Sequence, residues 1–381
     1  MPRIAIVHEW FVTYAGSEKV VEQLLHVYPD ADVFALFDFM PAAERGFLQG
    51  KTVHTSFLQK FPFISPKNYR TFLPLMPLAV EQLDLSPYDI IISSCHAVSK
   101  GVVTSPDQLH IGYIHSPMRY AWDLQGTYLA GSGFGALKEM LARAILHYMR
   151  IWDFLAAQRP DKLLGNSGFI VRRVNKIYKR DATPLYPPVD TDAYFPGQTR
   201  EDFYLAASRL VPYKRFDIIL EAFRAMPEKQ LTIIGDGPDA PLLMKDLPPN
   251  ITWLGYQPND TLRDYMQRCK AFIFAAKEDF GIMPIEAQAC GAPVIAFGEG
   301  GCTETVIGLD ADAPTGVFFP SQTADALREA IQVFESHQSY FNPLVSRKNS
   351  ERFSNQRFQR EIQEFVDNAW GEFQRQKKGG M

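Results

Sequence analysis

The sequence predicts an α/β protein built from two parallel-sheet domains, and three observations carry that prediction. Short apolar runs alternate with helical patterns over the whole length, the signal of parallel strands joined by crossover helices. A proline-rich break from Tyr186-Pro187-Pro188-Val189-Asp190 through Phe195-Pro196-Gly197 interrupts the alternation, which then restarts. Prolines there prevent helix and remove ladder donors, so the break reads as an interdomain linker. At 381 residues, each half is long enough to bury its own core.

In the first half, apolar runs at 4–8, 33–37, 90–94, 111–115, 163–166 and 183–186 read as strands. Helices are expected at 17–28, where Val20, Val21, Leu24 and Leu25 share one face, and at 134–158. A further helix at 168–178 follows Ser167, a natural cap. In the second half, strands are expected at 203–207, 231–234, 251–254 and 271–276, with helices at 216–226 and 324–335. A last helix spans 349–370. The domains are accordingly placed at 1–187 and 188–348, with 349–381 as a terminal helix. No internal repeat or low-complexity segment appears.

Composition narrows the function. Hydrophobic residues make up 46% and charged residues 22%, as in globular proteins. The net charge of −4 argues against a nucleic-acid partner held by bulk charge. Cys95, Cys269, Cys290 and Cys302 form no C-x-x-C pair, which argues against zinc or a disulfide framework and fits a reducing compartment. The first residues read as a strand with no cleavable signal pattern, and no run reaches the roughly 20 apolar residues of a membrane span. The expectation is a cytoplasmic protein, free or peripheral on the cytoplasmic face of a membrane.

The most informative segment runs from Ala271 to Gly301. It reads as strand, loop, helix and strand, with Glu278 and Glu286 separated by seven residues across the loop-to-helix step. Pro284 suits a first helical turn, and Gly291 suits a helix end. The backbone N–H groups of Gly281, Ile282 and Met283 then open a helix, a ready site for a diphosphate or a sugar hydroxyl. Asp279 and Phe280 complete the turn. A carboxylate at Glu286 can accept from two vicinal hydroxyls, as in ribose recognition. Alone, the glutamate pair reads as a solvated loop and an exposed helical residue, since a pair at this spacing often occurs by chance.

Three other segments carry chemistry. Thr13-Tyr14-Ala15-Gly16-Ser17-Glu18 is a small-residue turn between a strand and a helix, and lacks the G-x-G-x-x-G of a nicotinamide site. His115 ends a strand and leads into Ser116-Pro117-Met118-Arg119-Tyr120, where open α/β sheets place site groups. Arg209 and Lys214 flank the turn after the first strand of the second half, a spacing that can grip a diphosphate; Arg215 is the neighbouring alternative. Asp190-Thr191-Asp192 has the form of a D-x-D metal motif but lies in the linker. Gly235-Asp236-Gly237-Pro238 reads as a turn after a strand. The aromatics and cations of 57–70 suit a membrane interface or a lipid-linked acceptor, with core and cleft wall as the default.

Together, E-x7-E, the Cys290-Gly291-Ala292-Pro293-Val294-Ile295 run and Gly300-Gly301-Cys302-Thr303-Glu304 resemble the family 4 retaining glycosyltransferases. Gly16, His115, Arg209, Lys214, Glu278 and Glu286 occur in the family's order, although Ala15 stands where a first glycine is common. The resemblance implies a GT-B fold of two facing Rossmann-like domains, with the final helix crossing back to the first. It implies metal-independent transfer of a hexose from a nucleoside diphosphate sugar to a glycan or lipid-linked saccharide, with no cofactor. His115, Glu278, Arg209 and Lys214 would be catalytic. Gly16, Asp279, Phe280, Gly281, Ile282 and Glu286 would hold the donor, with Arg119 and Tyr120 on the acceptor side. The segment from Tyr113 to Asp123 is similar to bacterial mannosyltransferases of polysaccharide and O-antigen assembly, which favours GDP-mannose. UDP-glucose, a GT-B epimerase and a non-catalytic nucleotide-sugar-binding protein are the alternatives.

Overall fold

The computed structural model describes residues 2–123, 125–130 and 135–379. The chain forms two compact units, one of Met1–Pro188 with Phe358–Met381 and one of Val189–Arg357. The first unit holds strands β1 (Ile4–Phe11), β2 (Asp32–Asp38), β3 (Val53–Thr55), β4 (Ile90–Cys95), β5 (Leu109–Ile114), β6 (Lys162–Gly165) and β7 (Thr183–Pro184). They pair in the order β3-β2-β1-β4-β5-β6-β7, parallel throughout. Its helices are α1 (Gly16–Val27), α2 (Met76–Glu81), α3 (Gln125–Ala130), α4 (Ala136–Ala156) and α5 (Gly168–Tyr178).

The second unit repeats the plan with β8 (Phe203–Ala207), β9 (Gln230–Ile234), β10 (Ile251–Trp253), β11 (Ala271–Phe274), β12 (Val294–Phe297) and β13 (Gly316–Phe319). Their order is β10-β9-β8-β11-β12-β13, again parallel. Helices α6 (Phe216–Arg224), α7 (Ala240–Leu243), α8 (Asn259–Arg268), α9 (Ile282–Ala289), α10 (Cys302–Thr305), α11 (Ala324–Ser336) and α12 (Pro343–Glu351) accompany them. Both units are therefore Rossmann-like, as the alternation predicts. In each, the strand order reverses beside the first strand, so the loops after β1, β4, β8 and β11 meet at switch points.

Besides the short helices α2, α3, α7, α8 and α10, which had no counterpart in the expectation, three differences affect the sheets and the terminal helix. The strand β3 is three residues long with only Val53 buried, too short to give a pattern. The strand β13 opens on Gly316, normally a mark against a strand. A Cβ there would lie 2.1 Å from the Val294 carbonyl oxygen, so glycine is what lets β12 and β13 approach. The expected helix at 349–370 is two helices, α12 and α13 (Asn355–Gly379). Between them Phe353 turns inward against Phe280, 5.5 Å between ring centres, and its carbonyl accepts from Val189 N at 2.9 Å. From Phe358 onward, Phe358, Ile362, Val366 and Ala369 of α13 join the core of Ile6, Val20 and Leu24 in the first unit. The helix expected at 134–158 is α4; Phe134 lies outside the described residues.

A buried charge anchors α4. Asp153 is fully buried, pairs with the ammonium of buried Lys100, and accepts from Trp122 Nε1 at 2.7 Å and Tyr178 Oη at 2.8 Å. Burial pulls the Lys100 ammonium down, but Asp153 outweighs it and holds the group above its ordinary range. Removing one partner leaves an uncompensated buried charge. Asp153→Ala is expected to cost about 3–5 kcal/mol of stability, read from the shift in urea midpoint.

Candidate functional site

In the second unit, β8 ends at Ala207 and the chain turns through a 3-10 segment at Pro212–Lys214. Arg215 closes that turn in the left-handed region at φ 57° and is held by Asp217, with Nε to Oδ1 at 3.0 Å and Nη2 to Oδ2 at 2.9 Å. Arg215 is engaged within the turn, whereas Lys214 forms an ion pair with Glu278 across the switch point. The Lys214 ammonium also lies 5.6 Å from the centre of the Phe274 ring. Arg209, in the same loop, is exposed, and among the described residues no acid pairs with it.

Glu278 follows β11 on a loop shaped by contacts with the exit of β12. Its carbonyl accepts from Gly301 N at 2.8 Å. A Cβ on Gly301 would lie 2.3 Å from Phe280 Cα, so any side chain there displaces the Glu278 loop. Gly281 takes φ 91° and leads into α9. Asp279, Phe280 and Glu286 are buried, with Glu286 about one turn into α9; Ile282 is half-buried. Arg209, Lys214, Glu278 and the opening N–H groups of α9 thus gather at the carboxyl ends of β8 and β11. Two cations beside a helix start are an arrangement able to receive an anion, and here a carboxylate pairs with one of the cations.

The first unit gathers a second cluster. Gly16 opens α1, and His115 follows β5. Between them runs a hydrogen-bonded chain: Glu18 Oε1 to His8 Nε2 at 3.3 Å, His8 Nδ1 to Ser94 Oγ at 3.2 Å, and Ser94 Oγ to His115 Nε2 at 2.8 Å. Ser94 sits between the two imidazoles and can both donate and accept, so the direction of the chain follows the tautomers of His8 and His115. Burial pushes Glu18 up, but His8 and Ser17 outweigh it and hold the carboxylate below its ordinary range.

His96 stands 6.4 Å from His115 and 6.2 Å from His8 between ring centres. Beneath it, Glu9 is fully buried and takes the N–H groups of His96, Ala97, Val98 and Ser99 at 2.8–3.1 Å. His8, Glu9, Ser94 and His96 do not stand out in sequence reasoning. The available signal was their position at the carboxyl ends of β1 and β4. Arg119 Nε approaches Ser116 Oγ at 3.4 Å, and Tyr120 packs against the core over that face.

Asp190 and Asp192 are engaged locally. Asp190 Oδ1 accepts from Ala193 N at 3.2 Å, and Asp192 Oδ2 accepts from Gln356 Nε2 at 2.7 Å. Among the described residues no group of three His, Cys, Asp or Glu side chains is placed to hold a metal ion. The Gly235–Pro238 turn packs beside the loop after β8, where Leu210 N donates to Asp236 O at 3.0 Å.

Comparison with known proteins follows the second unit. Residues 195–357 match the family model described as "Glycosyl transferases group 1". A D-inositol 3-phosphate glycosyltransferase of Mycobacteroides abscessus is 29% identical over 196 residues, 45% of this chain and 43% of the relative. A GDP-mannose-dependent alpha-(1-6)-phosphatidylinositol monomannoside mannosyltransferase of Mycolicibacterium smegmatis is 29% identical over 220 residues, 47% of this chain and 56% of the relative. The chain thus spans about half the length of these curated relatives. Among solved structures, HepE of Anabaena in complex with UDP aligns with TM-score 0.66 at 15% identity, covering 96% of this chain and all of that one. Sucrose-phosphate synthase from Thermosynechococcus elongatus aligns with TM-score 0.72 at 16% identity, covering 98% of this chain and 100% of its own. These likenesses show the fold, two Rossmann-like α/β halves with GT-B glycosyltransferases as structural neighbours.

Burial and neighbouring charge hold three imidazoles below their ordinary range. His110 is pushed down to about 3 by burial and Arg159, His115 goes well below by burial with His96 and His8 beside it, and His96 is lowered by burial. A depressed histidine binds its proton more readily in the unfolded chain. The stability these groups contribute is therefore complete above about pH 6.5 and lost as pH falls below it. Unfolding near pH 5.5 is expected to take up between one and three protons, a slope of about 1.4–4 kcal/mol per pH unit. Urea titrations at pH 5.5 and 7.5 measure it.

Proposed function

We propose that the protein transfers a hexose from a nucleoside diphosphate sugar to a glycan or lipid-linked saccharide with retention of configuration, and that GDP-mannose is the donor. The observation that carries this reading is the meeting of Arg209, Lys214, Glu278 and the α9 start at one switch point. In this reading the diphosphate replaces Glu278 as the partner of Lys214, Arg209 supplies the second cation, and the N–H groups of Gly281 to Met283 donate to phosphate oxygens. Glu278, released, accepts from sugar hydroxyls. Glu286 accepts from the ribose, and Asp279 and Phe280 fix the turn between them.

The bond from the sugar's anomeric carbon to the phosphate oxygen breaks while the acceptor oxygen bonds to the same face. The acceptor's proton passes to the departing diphosphate, whose growing charge Lys214, Arg209 and α9 stabilise without a metal. In the first unit, His115 is assigned a catalytic role, and Gly16, Arg119 and Tyr120 are assigned to the substrates. The mannosyltransferase relative supports GDP-mannose, whereas the UDP in the HepE complex supports a uridine donor as the second reading.

Arg209→Ala and Lys214→Ala are each expected to lower kcat/KM by about 10²-fold or more, from charge-assisted bonds that strengthen in the transition state. Initial rates with GDP-mannose and UDP-glucose, in EDTA, test this and rank the donors. Wild-type rates in both variants would remove the diphosphate assignment, and a strict Mg²⁺ requirement would restore Asp190 and Asp192 as metal ligands.

A further inference from the structure

The outer face of α4 is apolar, and its large side chains stand exposed among the described residues. Leu137, Met140, Leu141, Tyr148, Ile151 and Leu155 are between 47% and 75% exposed. Their spacing of three and four residues lines them up along a 21-residue helix, about 31 Å long. The opposite face, with Leu146, Met149, Trp152 and Ala156, is buried. A contiguous exposed stripe of this length marks an interaction site rather than scattered surface apolarity.

The charge around it selects the partner. Between residues 135 and 180 the sequence carries ten Lys and Arg against three Asp and Glu, within a chain whose net charge is −4. One of those acids, Asp153, is buried with Lys100. The neighbouring helix α5 is joined to α4 through Tyr178 Oη and Asp153, and through Arg180 Nη1 donating to Ala157 O at 3.2 Å. It exposes Arg172, Lys176 and Lys179. A second copy docking on this face would bring cations against cations. An anionic surface that also accepts apolar side chains satisfies both features.

We infer that α4 and α5 form a docking surface for an anionic lipid bilayer, with the α4 stripe entering the headgroup region and the α5 cations lying over lipid phosphates. The 57–70 segment, where the sequence places membrane contact, covers the same face of the sheet. Leu58 and Tyr69 share one core cluster with Leu146, Met149 and Trp152 of α4, and Phe63 is 92% exposed.

Cosedimentation of the full chain with phosphatidylcholine vesicles, with and without 30% phosphatidylglycerol, tests the assignment. The protein is expected to pellet with the anionic vesicles only, and to be released by salt. Leu141→Glu with Ile151→Glu should reduce binding at least about tenfold, since both side chains are exposed and leave the core intact. Lys176→Glu with Lys179→Glu should do the same through charge alone. Nucleotide binding, which resides in the second unit under the reading above, should be unchanged in both. Failure of the wild-type protein to bind anionic vesicles overturns the inference. So does wild-type binding by both variants, or a solution dimer that Leu141→Glu with Ile151→Glu dissociates.

Discussion

The ion pair between Lys214 and Glu278 ties the second unit's switch point together. It joins the loop after β8 to the loop after β11, and both side chains are mostly removed from water. Two charges so placed compensate each other at the cost of being desolvated. In the proposed reading, a ligand bringing its own negative charge takes over one partner of this structural link. The surrounding backbone keeps that exchange local. Gly301 presses on Phe280, Phe280 on Phe353, and Phe353 holds Val189 at the start of the unit. The cations and carboxylate are therefore presented by loops that are fixed from behind.

The first unit solves a different problem with the same topology. Its switch point carries histidines and glutamates that are mostly buried, and each needs a partner. Glu9 is satisfied by four backbone N–H groups, which fixes the turn bearing His96. Glu18, His8, Ser94 and His115 satisfy one another in series. The result is a continuous chain from Glu18 to His115 that fixes the position of the His115 ring. A serine in the middle matters because a hydroxyl both donates and accepts. Alanine at Ser94 would leave two imidazoles without a common partner.

Much of this was legible in the sequence, because strand periodicity and proline breaks are local signals. The ten expected strands through residue 276 correspond to observed ones, and Ser167 caps α5 with its hydroxyl accepting from Ile170 N. The loop residues Lys214 and Glu278 were singled out through a resemblance, and the structure pairs them, while Arg209 lies exposed in the same loop as Lys214. What escaped was non-local. Gly316 looks unfavourable until the Val294 carbonyl beside it is known. The break between α12 and α13 depends on Phe353 meeting Phe280, seventy-three residues away in sequence. The His8–Ser94–His115 chain draws on three strands, and nothing in the spacing of those residues announces it.

The central claim is that Glu278 occupies Lys214 only until a diphosphate takes its place, while Glu286 binds the nucleoside. Calorimetric titration of Glu278→Gln and Glu286→Gln with GDP, and with UDP as the alternative, measures this most directly. Removing the Glu278 charge should leave nucleotide affinity near or above that of the wild type, because Lys214 no longer has to be released. Glu286→Gln should weaken affinity at least about tenfold, the loss expected for a charged hydrogen-bond acceptor. Loss of affinity in Glu278→Gln with affinity retained in Glu286→Gln would contradict the account.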